Sequence, residues 1–202
     1  MKRPIAELLT MTLNAGAESA RTQHEQAAWQ ILRRKQGYVT HRIYSQIDNP
    51  LHRLVYSEWE SKKAVDGARQ YLQGTPLMRR ARTLLAAAPQ RTVVELVGHV
   101  TSTKGLDLAP GAVAVLATGR SQPNAEQWTQ RVEELQRLFS TQPGHITHVL
   151  FRGLDADATV VGFMAHWIDE ATFQEVRGSV EAAVASTLLA EGFTSVVYTP
   201  VD

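Results

Sequence analysis

The chain has no cysteine, which removes disulfide staples, thiolate nucleophiles and sulfur-ligated metals together. It also has no apolar run approaching the roughly 20 residues that cross a bilayer as a helix. The opening Met1-Lys2-Arg3-Pro4 is basic, but polar and apolar residues alternate after it and no small-residue cleavage site follows, so the expectation is a cytoplasmic protein. Neither sign of charge is in excess: 21 Lys and Arg against 20 Asp and Glu leave a net charge of +1. That balance argues against general attraction to nucleic acid or to a membrane surface. Phosphate-cradling glycine loops, nucleophile elbows and dinucleotide fingerprints are missing as well.

What the chain does contain is repetition. Gly37-Tyr38-Val39-Thr40-His41 returns as Gly144-His145-Ile146-Thr147-His148, an offset of 107 that Asp48 and Asp155 share. Trp59 and Trp167 are 108 apart, as are Arg69 and Arg177, so the second copy gained one residue in or near its hairpin. The 202 residues therefore read as two related units, 1–100 and 112–202, joined by a linker at 101–111 that is rich in Thr, Ser, Gly and Pro.

Within each unit the periodicities give one element order. In the first, Ile5–Leu13 reads as a strand. A helix follows with Ala20, His24, Ala27, Ala28, Ile31 and Leu32 on one face. Tyr38–Ile47 and Leu51–Trp59 flank an Asp48-Asn49-Pro50 turn as a hairpin. Ser61 caps a helix with Val65, Ala68 and Leu72 inward, Thr75-Pro76 starts a further helical stretch, and Arg91–Val100 is a fourth strand. The second unit repeats this with Ala112–Thr118, a helix carrying Trp128, Val132, Leu135 and Phe139 behind an Asn124/Gln127 capping box, a hairpin, a helix capped by Asp169 and continuing to Leu189, and Phe193–Thr199. The fold class is α+β, two tandem ferredoxin-like βαββαβ units. Each sheet has helices on one face, and pairing the open faces within one chain predicts an intrachain pseudo-dimeric α/β barrel.

The stretch from Gly37 to about Leu85, above all Tyr56-Ser57-Glu58-Trp59-Glu60-Ser61, resembles the antibiotic biosynthesis monooxygenase family of dimeric α/β-barrel proteins. Met164-Ala165-His166-Trp167-Ile168-Asp169 is similar but more diverged. The resemblance implies a pocket between each sheet and its helices. It also implies oxygenation of a small aromatic or quinone-forming substrate by dioxygen with no metal or flavin, and allows a further homodimer. The family's usual helix histidine, nine residues past the tryptophan, is replaced by Ala68 and Val176. Histidine is also missing between Trp59 and His99 and after His166, which argues against the haem-degrading branch. The alternative is a non-catalytic module that binds or senses a small ligand, with a haem-binding member third.

Cofactor-free oxygenation asks the protein for shape, a base and stabilisation of developing negative charge. The candidates are His41 as base, Arg69 and Arg79 over an oxyanion, and Tyr44, Tyr56 and Trp59 as pocket walls, with His148, Phe151, Trp167 and Arg177 as the second set. Strand parity sets a condition on them: His41 shares a face with Val39 and Ile43, and Tyr44 points the other way, so the two cannot enter one pocket of a regular strand. By the same rule His145 and His148, three apart, should face opposite sides and be poor co-ligands, so no metal site is expected. Arg69 and Arg177 have surface ion pairing as their competing role.

Overall fold

The computed structural model describes residues 3–97, 106–121, 125–188 and 190–201, without the side chains of 125–129. Residues 101–105 of the expected linker, the Asn124/Gln127 capping box, the Trp128 side chain and Leu189 lie outside the described residues. The chain divides into two units, Met1–Val93 with Val201–Asp202, and Val94–Pro200.

The first unit runs β1 (Ile5–Thr12), α1 (Glu18–Leu32), β2 (Tyr38–Gln46), β3 (His52–Trp59), α2 (Lys62–Gln73), α3 (Pro76–Thr83) and into β4 (Gln90–Val97). Its three complete strands lie in the order β1-β3-β2, all antiparallel, with Leu9 and Ile43 both opposite Val55. The helix boundaries follow the local chemistry. Ser61 Oγ accepts from the Ala64 N–H at 3.2 Å, and Pro76 occupies the first turn of α3, where its missing N–H costs nothing. Val65, Ala68 and Leu72 are the buried face of α2, as their spacing predicts.

The second unit comprises β5 (Val113–Arg120), α4 (Ala125–Ser140), β6 (His145–Gly153), β7 (Val160–Trp167), α5 (Glu170–Leu188) and β8 (Glu191–Pro200). Its strands lie in the ferredoxin-like order β8-β5-β7-β6. Val94–Val97, the end of β4, pairs antiparallel with β6. The strand expected to close the first unit therefore ends by extending the sheet of the second. The element order of an α+β, ferredoxin-like unit is written twice in the chain.

The extra residue of the second copy is in its hairpin. The β2–β3 connection is 47–51, and the β6–β7 connection is 154–159, with a 3-10 turn at Asp155–Asp157 and Asp155 at φ 53°. Further along, β7 needs a glycine for packing. A Cβ on Gly162 would sit 2.1 Å from the Ala117 carbonyl oxygen and 2.9 Å from Cζ of Phe151. Gly162→Ala should cost about 1–3 kcal/mol in chemical denaturation. Gly178→Ala, on an exposed turn of α5 with open space around it, should stabilise by up to about 1 kcal/mol.

Candidate functional site

Strand parity sorts the expected site residues. In β3, Arg53, Val55, Ser57 and Trp59 alternate with Leu54, Tyr56 and Glu58, and the register puts His41 beside Ser57 and Tyr44 beside Leu54. His41 and Trp59 therefore share one face. Tyr44 and Tyr56 lie on the other, both 0% exposed, and the Tyr56 hydroxyl donates to Glu58 at 2.9 Å. Burial pushes both phenols above their ordinary pKa. The set Tyr44, Tyr56, Trp59 thus does not line one pocket. The second unit divides the same way: His148 pairs with Ala165 on the Trp167 face, and Phe151 pairs with Gly162 on the reverse.

A β-bulge alters the parity at the start of both hairpins. The register shifts between Tyr38 and Thr40, and again between His145 and Thr147. In the first unit the shift brings the Tyr38 hydroxyl to 2.7 Å from His41 Nδ1. In the second, His148 Nδ1 lies 3.2 Å from His145 Nε2. The expectation that His145 and His148 face opposite sides is therefore overturned, because one inserted residue resets the alternation. Each unit seals this corner with rings. Trp29 stacks on His41 at 3.9 Å, and Tyr38 meets Trp59 edge-on at 5.6 Å. Phe139 stacks on His148 at 4.5 Å, and His145 meets Trp167 edge-on at 5.5 Å. Trp59 Nε1 donates to Ser57 Oγ at 3.0 Å. Trp167, with Ala165 two residues before it, has no acceptor for its indole N–H among the described residues.

Burial lowers the pKa of both His41 and His145 to about 4, and Arg33 and Arg42 add to the effect at His41. Both rings are neutral in the folded protein across a range where the unfolded chain, titrating near 6.5, binds protons. Their stabilising contribution is thus present above pH 6.5 and is lost as pH falls towards 4. Urea unfolding should show stability dropping through that window, and His41→Phe should flatten the drop.

The first unit contains a cavity of about 400 Å³ between its sheet and its helices. Leu9, Met11 and Val55 form its floor, and Ala28, Trp29, Leu32, Leu72, Met78, Ala81 and Leu85 supply apolar walls. Of the expected site residues only Arg69 reaches it. His41, Tyr44, Tyr56, Trp59 and Arg79 are not on its walls; Arg79 is exposed on α3, and Arg82 takes the lining position instead. Arg69 is not a loose cation. It forms a bidentate pair with Glu7, a carboxylate with 0% side-chain exposure that Arg91 also contacts. It is an interior pair, not the surface pair expected. Arg177 does pair at the surface, with Glu181 at 2.8 Å.

Further polar groups come from α1: His24, which lies on its expected apolar face, and Arg21 and Glu25, which do not. Arg21, His24 and Glu25 all line the cavity and are 7%, 8% and 2% exposed. Arg21 Nε donates to Glu25 Oε1 at 2.8 Å. Glu25 Oε2 is buried and has no hydrogen-bond partner among the described residues. Burial, helped by the Arg21 charge, lowers the His24 pKa, so the imidazole is neutral at pH 7 and able to accept a proton. By contrast, the described buried face of α4 is Val132, Leu135 and Phe139. Among the described residues no three His, Asp or Glu side chains gather as metal ligands.

Residues 119–187 match the antibiotic biosynthesis monooxygenase family. The match falls on the second unit, the copy that its motifs made look more diverged. No curated protein matches the sequence. Among solved structures, a candidate monooxygenase from Fusobacterium nucleatum superposes with a TM-score of 0.73 at 7% identity, covering 99% of this chain and 93% of its own. An anthrone oxidase-like protein gives 0.69 at 15% identity, covering 99% and 92%. A candidate monooxygenase from Lactobacillus acidophilus gives 0.62 at 10% identity, covering 98% and 94%. At these identities the likeness is one of fold, and it extends over nearly the whole chain. No helix among the described residues is long and apolar enough to cross a membrane.

Proposed function

We propose that this chain is a monooxygenase-type enzyme whose first unit takes a small, flat aromatic substrate into the α1-walled cavity and oxidises it with dioxygen, without a tightly held cofactor. The observation that carries this reading is a largely apolar cavity of about 400 Å³ with a buried, neutral His24 in its wall. A volume of this size suits a ligand of two or three fused rings. The family match and the whole-chain fold likeness support the reaction class.

With an anthrone as substrate, His24 removes a proton from the activated carbon to give the enolate. The enolate passes one electron to dioxygen, and the radical pair joins as a C–O bond. The proton returns from His24 to the distal peroxide oxygen. Loss of the remaining C–H proton breaks the O–O bond, so that anthrone and one dioxygen become anthraquinone and one water. The protein's part is to orient the ring, exclude bulk water and hold the proton between steps. Arg69, neutralised by Glu7, serves the wall and not the oxyanion.

The test is oxygen uptake with anthrone and a hydroquinone panel, with quinone formation followed optically. Uptake above the uncatalysed rate, saturating in substrate, supports the reading. The second reading, a binding module, is favoured by Ala68, buried on α2 where the family's histidine would stand. Saturable binding with uptake at the uncatalysed rate would establish it instead.

A further inference from the structure

Glu25 is an unusual residue to find on an apolar wall. Its side chain is 3% exposed, Arg21 beside it is 8% exposed, and their ion pair uses only one carboxylate oxygen. The other oxygen is buried on the same wall and has no hydrogen-bond partner among the described residues. A buried carboxylate oxygen without a donor is costly, and a native structure retains one where a ligand or an ordered water completes it. We infer that Glu25 is a specificity-determining residue, its second oxygen selecting ligands that present an uncharged O–H to α1. The inference rests on the cavity named in the preceding reading, but not on its oxidative chemistry.

Charge decides the ligand class. Arg21 already balances the Glu25 carboxylate, and His24 is neutral, so a cationic ligand would bring an uncompensated charge into an apolar space. An anionic ligand would meet an acceptor that cannot donate. A neutral hydroxyl on an aromatic ring satisfies the oxygen and fills the apolar remainder of the cavity. An ether at the same position fills the space but leaves the oxygen unpaired. Discrimination of this kind, by a buried polar group left without its partner, exceeds what a methyl group's bulk gives.

The experiment is calorimetric titration of the full chain at pH 7 without oxygen, using 2-naphthol, 2-methoxynaphthalene, 2-naphthoate and 2-naphthylmethylamine. The expected result is 2-naphthol binding at least roughly tenfold more tightly than its methyl ether, with the carboxylate and the ammonium weaker still. Arg21→Met/Glu25→Leu exchanges the pair for apolar groups of similar size, a change that folds tolerate well. It should bring the naphthol-to-ether ratio to about one and strengthen binding of the ether. If that variant fails to fold, Glu25→Gln should still narrow the ratio to within about threefold. Equal wild-type affinities, no binding of 2-naphthol, tighter binding of the amine, or a preference that survives in the variants would each overturn the assignment. A naphthol preference without oxygen uptake discards only the oxygenase reading. Uptake with no such preference discards only this one.

Discussion

Replacing His24 by glutamine should lower kcat for anthrone oxidation by roughly 10²-fold or more, with a smaller change in KM. Glutamine keeps a polar side chain of similar length in the wall but cannot hold a proton at neutral pH. His24 is set apart by its surroundings. Glu25 gives one oxygen to Arg21, Arg69 is bound to Glu7, and His24 is the one imidazole on the cavity wall among the described residues. Because burial and Arg21 lower its pKa, the active neutral form persists below pH 6.5, and the acid limb of kcat/KM should fall below that value. Arg21→Met removes one of those two causes and should move the limb upward. A structural role for His24 would leave the position of the limb unchanged. Oxygen-electrode rates across pH 4–8 check both statements, and a wild-type rate in His24→Gln would remove His24 from the mechanism.

Glu7→Ala should destabilise the fold by about 3–5 kcal/mol, the cost of leaving a buried charge without its partner. Glu7 lies on β1 with its side chain 0% exposed, and Arg69, 17% exposed, and Arg91, 37% exposed, both depend on it. Truncating Arg91 alone should cost only about 0–1 kcal/mol, because its head is partly solvated and Asp66 shares it at 2.8 Å. Urea midpoints of the two variants, measured together, separate these cases. Similar losses would mean that the network is held at its surface end. Among the described residues the second unit has no counterpart to this carboxylate: Glu7 stands opposite Ser57, and in the matching register Val115 stands opposite Ala165, while Arg177 turns to Glu181 on its own helix.

Residue periodicity made the scaffold legible. Val65, Ala68 and Leu72 on α2, the caps at Ser61 and Asp169, and the opposed faces of His41 and Tyr44 all follow from spacing alone. The bulges did not, since the irregularity between His145 and Thr147 depends on backbone pairing that no single strand's pattern encodes. α1 departs from its expected face for a different reason. Its expected face was Ala20, His24, Ala27, Ala28, Ile31 and Leu32, whereas its buried residues are Arg21, His24, Glu25, Trp29 and Leu32. Charges are assigned to solvent by default, yet Arg21 and Glu25 are four apart on one helix and neutralise each other, which lets both go inside. An acid and a base at that spacing, flanking a histidine and followed by a tryptophan on the same stripe, was the available signal. The family match falls on the unit whose first helix buries Val132, Leu135 and Phe139 among its described residues, and the cavity with ionisable walls is in the other.

Trp29 belongs to two places at once, the cavity wall and the stack on His41. An indole so placed is an optical gauge built into the chain. A guest in the cavity changes what surrounds one part of the ring, and protonation of His41 near pH 4 sets a cation against its face. Emission from this residue therefore registers occupancy and acidification through separate sides of one fluorophore, with no label attached.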